Sequence, residues 1–410
     1  MKAEEGGLTV KRILIVSHAM EIGGAERALL GLLDSLDPGR VSVDLFLLRH
    51  EGELLDLIPE YVHLLPPIPA YTVLARPIVQ TIKEGHLLLS GARLIGKFRA
   101  MCYDKKHGLT ESGVALEYSH KYTKRFMPPI APDAEYDLDI SFLTPHYFAA
   151  EKVRAKKKIA WIHTDYSVVQ VDTASELKMW GAYGYIASIS DDVTKAFLSV
   201  FPSLEDRIVK IENILPKALI DHQAGDFSAE GEMPRDGAIR LLSIGRFGSA
   251  KNFDNVPDIC RRILETGLNV KWYLIGYGGD EALIRQRIRE AGMEDRVVIL
   301  GKKDNPYPYI KACDLYVQPS RYEGKAVTVR EAQMLGRPVA ITRYATSASQ
   351  LEDGLDGIIV PMDNAGCAAG IAALLRDPER MKALSAACAR RDYTNGEEVR
   401  KIYGILEREA

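Results

Sequence analysis

Residues 314–333 read DLYVQPSRYEGKAVTVREAQ. DLYVQPS (Asp314–Ser320) is short, apolar and closed by Pro and Ser, which predicts a strand. VTVREAQ then predicts a helix, and RPVAITR (Arg337–Arg343) predicts a second strand. Near-continuous apolarity, rather than alternation, marks strands buried on both faces, so the unit belongs to a parallel sheet with helices on either side.

The same rhythm runs outward in both directions. IRLLSIG (Ile239–Gly245), VKWYLIG (Val270–Gly276), RVVILG (Arg296–Gly301) and GIIVP (Gly357–Pro361) complete the strands of the second half. In the first half Arg12–Ser17, Val41–Leu48, Tyr61–Leu65, Tyr136–Leu143, Lys157–His163, Tyr183–Ser190 and Arg207–Asn213 read the same way. Asp221–Ala238 is polar, contains Gly and lacks periodicity, so it is the expected linker. The fold class expected is α/β: two doubly wound Rossmann-like parallel-sheet domains with ligand in a cleft between them. The expected division is 1–218, with an insertion over 70–125, then 219–390, and a helix over 391–410 packing back toward the first domain.

The 410 residues are 47% hydrophobic and 27% charged, which excludes disordered and fibrous classes. A net charge of −3 leaves no global field for nucleic acid. The five cysteines, Cys102, Cys260, Cys313, Cys367 and Cys388, are scattered and odd in number, which fits a reducing cytoplasm rather than a disulfide framework or zinc site. MKAEEGGLTVKR carries two glutamates and no apolar core, so no signal peptide is expected, and no apolar run approaches the ~20 residues of a membrane span.

Four places carry candidate chemistry. In IGRFGSAKN a buried strand ends at Gly245, Arg246 and Lys251 follow, and a helix is expected to open near Asn252. A helix N-terminus with an added Arg and Lys suits a phosphate, although two solvated cations would look the same. Glu323 sits at the mouth of a loop and Glu331, eight positions on, in the helix that follows. Eight helical positions are a little over two turns, so both carboxylates are expected on one side, where they can accept hydrogen bonds from sugar hydroxyls or merely decorate a surface. In SHAMEIGGAER, Gly23 and Gly24 precede a helix and admit backbone N–H groups to an anion, or form a tight turn. His163 ends a strand with Asp165 nearby, as a hydroxyl partner, a proton carrier or a structural edge residue. Neither SHAMEIGGAER nor IGYGGDE (Gly276, Gly278, Gly279) has the GxGxxG spacing of a dinucleotide fold. Asp137-Leu138-Asp139 spells DxD, but it enters a strand and reads as polar strand residues rather than a metal site.

Taken in order, the GG turn, GRFxxxKN and PSRYEGKAVTVREA with Glu-x7-Glu resemble the retaining glycosyltransferases of family 4, of GT-B architecture, and chiefly bacterial exopolysaccharide and capsule enzymes. The resemblance implies that Arg246 and Lys251 hold the donor diphosphate, that Glu323 meets the donor sugar, and that Glu331 meets the ribose. It implies that Gly23 and Gly24 approach the diphosphate and that His163 lines the sugar and acceptor side. Asn305 and Tyr307 fall in the base-contacting loop it predicts. Gly324, Lys325 and Ala326 belong to the donor loop, where Lys325 and Ala326 depart from the family's usual aromatic and Pro or Gly. Catalysis would fall to Glu323, His163, Arg246 and Lys251, with a UDP-sugar as donor and no metal or cofactor. Rival readings are a nucleotide-sugar epimerase of the same fold, a GDP-mannose-dependent mannosyltransferase, a dehydrogenase and an inactive scaffold.

One segment departs from the rhythm. Arg76–Arg125 carries ten basic residues against four acidic ones, with apolar residues at helical spacing: Ile78, Ile82, Leu87, Leu88, Leu94, Ile95, Phe98 and Met101. Lys152, Arg154, Lys156, Lys157 and Lys158 add a second basic cluster. The alternatives are a helix pair packed on its own domain with a solvated charged face, or docking on an anionic membrane surface to reach a lipid-linked saccharide. The expected location is cytoplasmic, peripheral on the inner face of the membrane.

Overall fold

The computed structural model describes residues 10–109, 112–164, 166, 168–323 and 326–408. The chain forms two compact units. One comprises the residues through Ile214 together with those from Asn395 onward; the other is Leu215–Thr394.

The first unit is built on a seven-stranded sheet: β1 (Lys11–Ser17), β2 (Val41–Leu47), β3 (His63–Leu64), β4 (Tyr136–Ser141), β5 (Ala155–Ile162), β6 (Tyr185–Ser188) and β7 (Ile208–Lys210). All neighbours are parallel, in the order β3-β2-β1-β4-β5-β6-β7, with Ile13 opposite both Val43 and Leu138. The second unit holds β8 (Ile239–Ile244), β9 (Val270–Ile275), β10 (Val297–Gly301), β11 (Leu315–Gln318), β12 (Val339–Thr342) and β13 (Ile358–Val360), in the order β10-β9-β8-β11-β12-β13. Leu241 and Trp272 pack on one face, with Leu242 and Tyr273 on the other. Both faces are buried, which is why the strands read as apolar runs. Strand order reverses at β1/β4 and at β8/β11, where the loops after adjacent strands splay and open a crevice.

The expected linker is instead part of the second unit. Ala224, Ala229 and Met233 are buried in its core, and Asn305 donates to the Gln223 carbonyl at 2.8 Å. Three apolar anchors among eighteen mostly polar residues are too sparse to show periodicity. The division falls at Ile214/Leu215, where the Leu215 N–H bonds to the Thr394 carbonyl at 3.0 Å. Helix Val399–Glu407 buries Val399, Ile402, Tyr403 and Leu406 in the first unit, and the Tyr403 hydroxyl accepts from the Asp37 N–H at 2.7 Å.

Between β3 and β4 lie helices Leu87–His107 and Val114–Thr123, packed together. Among the described residues no helix is long and apolar enough to cross a membrane.

Candidate functional site

In the second unit the loops after β8 and β11 meet at the point of strand reversal. The loop after β11 turns at Pro319, and Ser320 and Gln318 are fully buried behind it. Asn252, in a left-handed conformation (φ 61°), donates from Nδ2 to the Pro319 carbonyl at 2.9 Å. Arg321 grips Asp254 through both terminal nitrogens, at 2.9 and 2.7 Å, and its N–H bonds to the Ala250 carbonyl. These bonds clamp the two loops together. The residues that follow Lys251 make short 3₁₀ turns, and the helix expected near Asn252 begins at Val256. Asn252 has left-handed φ, so it cannot continue a helix and delays the start.

The clamp brings Lys251 to Glu323. Lys251 Nζ lies 2.5 Å from Glu323 Oε1, with the two side chains 21% and 11% exposed. Ser320 Oγ and Gln318 Nε2 also donate to Oε1, at 2.6 and 3.2 Å, and the Tyr316 hydroxyl holds the Gln318 amide by donating to its oxygen. Three donors on one oxygen fix the orientation of the carboxylate in a part-buried place. Arg246 is exposed, and its guanidinium makes no bond among the described residues.

The glycines of IGYGGDE have a role that spacing alone did not reveal. A Cβ on Gly276 would run into the Gly245 carbonyl oxygen, and one on Gly278 would lie 2.9 Å from Phe247 N. The loop after β9 can therefore press its backbone against the β8 loop, with Phe247 N–H bonding to the Tyr277 carbonyl at 2.8 Å.

Glu331 is 1% exposed on helix Val327–Met334, and its Oε1 accepts from the Tyr307 hydroxyl at 2.9 Å. Glu323 lies outside that helix, so the two carboxylates do not share a helical face. Ala326, buried at the helix start, is held by both ends of the Gln350 amide, at 2.8 and 3.2 Å. Asn305 caps Tyr307 N–H at 3.1 Å and donates to Asp226 at 2.9 Å. Gly324, Lys325 and Asp165 lie outside the described residues.

In the first unit four histidines converge at the carboxyl ends of β1, β4 and β5. His18 and His120 rings lie 5.7 Å apart, His120 stacks on Phe148 at 4.7 Å, and His163 lies 4.7 Å from Phe142. His146 accepts or donates at both nitrogens, to Ser141 at 2.8 Å and Thr144 at 3.1 Å. Burial holds His163 down at about 3 and His18 at about 4, the latter with help from Arg49. Burial likewise pushes His120 and His146 well below the ordinary value. All four imidazoles are therefore neutral at neutral pH. His120 Nδ1 and His163 Nε2 are buried and have no hydrogen-bond partner among the described residues.

Gly23 precedes helix Gly24–Ser35, and the Glu26 carboxylate folds over it, so an anion at this N-terminus shares the space with a carboxylate. Burial raises the Glu26 pKa. A Cβ on Gly24 would meet open space. Asp137 is engaged by Lys156 at 2.9 Å and by the Arg12 N–H at 2.9 Å. Asp139 is fully buried 3.9 Å from Lys158, its carboxyl pushed up by burial. Among the described residues no group of three or more His, Cys, Asp or Glu is placed to hold a metal ion.

Residues 228–391 match the family model described as glycosyl transferases group 1. That segment, within the second unit, resembles the group 1 glycosyl transferases. Over 133 residues (31% of this chain) it is 29% identical to the lipopolysaccharide core biosynthesis mannosyltransferase LpsB of Rhizobium meliloti. Over 177 residues (43% of this chain) it is 27% identical to a Campylobacter jejuni N-acetylgalactosaminyltransferase whose name specifies a diphospho-undecaprenol acceptor. The matched segments span 38% and 44% of those relatives' own length. Anabaena HepE, solved with UDP and glucose, superposes with TM-score 0.64 at 16% identity, covering 96% of this chain and 99% of its own. Trehalose-6-phosphate synthase OtsA gives 0.67 at 11% identity, covering 97% and 99%. The two Rossmann-like sheets are thus those of the GT-B class.

The segment that matches the group 1 model contains the Lys251–Glu323 pair, together with supporting residues that local sequence does not single out. Gln318 and Ser320 stand inside a quoted motif, but only the turn at Pro319 aims them at Glu323. Gln350 lies 24 residues beyond Ala326, and no local spacing signals it.

Proposed function

We propose that this chain is a retaining glycosyltransferase that moves a hexosyl unit from a UDP-sugar to a saccharide acceptor, lipid-linked, in bacterial surface polysaccharide synthesis. The observation that carries the reading is the Lys251–Glu323 contact at the strand reversal of a group 1 domain: a cation and an oriented carboxylate side by side. The Campylobacter relative's diphospho-undecaprenol acceptor supports a lipid-borne saccharide.

In this reading the anomeric C–O bond breaks and negative charge collects on the departing diphosphate. Lys251 and Arg246 stabilise that charge at the moment it develops. Glu323, its Oε1 saturated by three donors, turns Oε2 toward a hydroxyl of the donor sugar and holds the ring. Glu331 and Tyr307 shape the nucleotide side. The acceptor hydroxyl adds to the face that the diphosphate leaves, and its proton passes to the departing phosphate oxygen, which retains configuration without a protein nucleophile. His163, neutral at working pH, contributes a hydrogen bond rather than a charge. The retaining-glycosidase route needs a second carboxylate on the opposite face, and the proposal uses none.

The test is nucleoside diphosphate release from a panel of UDP- and GDP-sugars, with and without a lipid-linked saccharide. The expected result is UDP release that rises with acceptor and yields an α-linked product from an α-linked donor. Interconversion of the donor with no acceptor consumed would identify an epimerase. No turnover of any donor would leave the fold without this activity and refute the reading.

A further inference from the structure

Helix Leu87–His107 is amphipathic the wrong way round for a helix that serves only its own domain. Its buried positions are mostly small: Ser90, Ala92, Gly96 and Ala100, with Leu89. A Cβ on Gly96 would lie 2.9 Å from the Tyr118 carbonyl oxygen, so the neighbouring helix approaches at backbone distance. The large apolar residues face away. Leu87, Leu88, Leu94, Ile95, Phe98 and Met101 are 65%, 70%, 50%, 54%, 64% and 60% exposed. At ~100° per residue they form one continuous stripe opposite the buried face. Lys97 borders the stripe on one side, with Arg99 and Lys106 on the other. These three cations, and Lys105 at the far end, make no ion pair among the described residues. The helix carries Arg93, Lys97, Arg99, Lys105 and Lys106 against a single acid, Asp104.

We propose that this stripe is a membrane-docking face: the helix lies in the plane of an anionic lipid surface, with Leu94 and Phe98 inserted and the flanking cations on phosphate headgroups. Six protruding apolar side chains in water carry a standing cost, and a contiguous patch of this kind marks an interaction site. Charge selects the occupant. A second copy of the chain would bring Lys97, Arg99 and Lys106 against their own duplicates across a two-fold axis, which like-charge repulsion opposes. An anionic surface meets the same cations with opposite charge, and its fluid acyl layer accepts a convex row of side chains without a shaped groove. The apolar stripe and the basic flanks supply the two signals that stable interfacial binding needs. Docking is separable from sugar transfer, because none of these residues belongs to the candidate site.

The full chain provides its own probe. Cys102 lies within the stripe and is the exposed one of the five cysteines; the other four are buried. An environment-sensitive fluorophore on Cys102 is titrated with phosphatidylglycerol vesicles and, in parallel, with phosphatidylcholine vesicles. The expected result is a blue shift with phosphatidylglycerol that weakens as salt is raised, and a much smaller one with phosphatidylcholine. Leu94→Ser/Phe98→Ser should weaken partitioning by roughly a hundredfold, the loss of two large apolar transfers. Lys97→Glu/Arg99→Glu should abolish binding to phosphatidylglycerol, and this second variant serves if the first misfolds. UDP release toward a water-soluble acceptor should stay within twofold of the parent in both, so a failed docking test is distinct from a failed transferase reading. No shift with phosphatidylglycerol, or equal partitioning by both variants, overturns the proposal. So does a vesicle-free dimer that Leu94→Ser/Phe98→Ser dissolves, which would make the stripe a self-interface.

Discussion

Replacing Gly245 by Ala tests whether the position of Lys251, and not merely its charge, matters. The Lys251 stem crosses the space that a Cβ on Gly245 would fill, with Cε, Cδ and Cγ at 2.9, 3.1 and 3.2 Å from it. Gly245 is not in the left-handed region, so Ala meets no backbone penalty. Ordinary contact begins at 3.4 Å, so Cε has to retreat by 3.4 − 2.9 = 0.5 Å, and Nζ is drawn off Glu323 Oε1. Weakening that charge-assisted contact costs about 1 kcal/mol, and Ala returns about 0.4–1 kcal/mol by restricting the unfolded chain. Stability should therefore change by less than about 1 kcal/mol in guanidinium titrations. Turnover should respond more strongly, because a 1 Å misplacement can cost about a hundredfold and half of that about tenfold. Lys251→Met, which removes the charge itself, should cost about 10²–10³-fold. The assay is UDP release at saturating donor, alongside the denaturation curve. If Gly245→Ala stays folded and turns over within twofold of the parent while Lys251→Met is impaired, the positional argument fails. If both are unimpaired, Lys251 is not in the site.

Three further outcomes are expected. Gly276→Ala drives a Cβ into the Gly245 carbonyl, backbone against backbone, and should cost about 2–3 kcal/mol by denaturant midpoint, since nothing flexible can give way. His163 has a folded pKa of about 3 against an unfolded value of about 6.5, so the unfolded chain takes the extra proton between these pH values and stability falls as pH falls through that window. His163→Asn should flatten the slope of unfolding free energy against pH there by up to about 1.4 kcal/mol per unit; an unchanged slope would show an imidazole that titrates normally. Gly96→Ala should gain about 1 kcal/mol from helix propensity but lose more to the Tyr118 carbonyl at 2.9 Å. The net loss, about 1 kcal/mol in urea, would become a gain if the two helices can separate.

Local chemistry made the elements legible. The central strands of both sheets lie where apolar runs end in turn residues, because a strand covered on both faces is apolar at nearly every position, whereas the edge strands β3 and β7 are only partly covered. The GRFxxxKN and PSRYEGK segments announce the candidate site through residue type alone. The periodicity of Leu87–His107 was equally visible, yet it could not say which face was buried. The Ala, Ser and Gly face packs and the Leu and Phe face does not, because that choice depends on how closely the neighbouring helix approaches.

The order of strands along the chain thus determined two repeated α/β units and the cations and carboxylates at their loop ends, since both follow from side-chain type and spacing. Tertiary structure alone decided that β8 lies beside β11, so that Lys251 reaches a glutamate 72 residues away. It also decided that His18, His120, His146 and His163 share one desolvated pocket, and that a carboxylate covers the helix end at Gly23. These are meetings between distant segments in which burial and close approach, rather than composition, set the charge and the geometry.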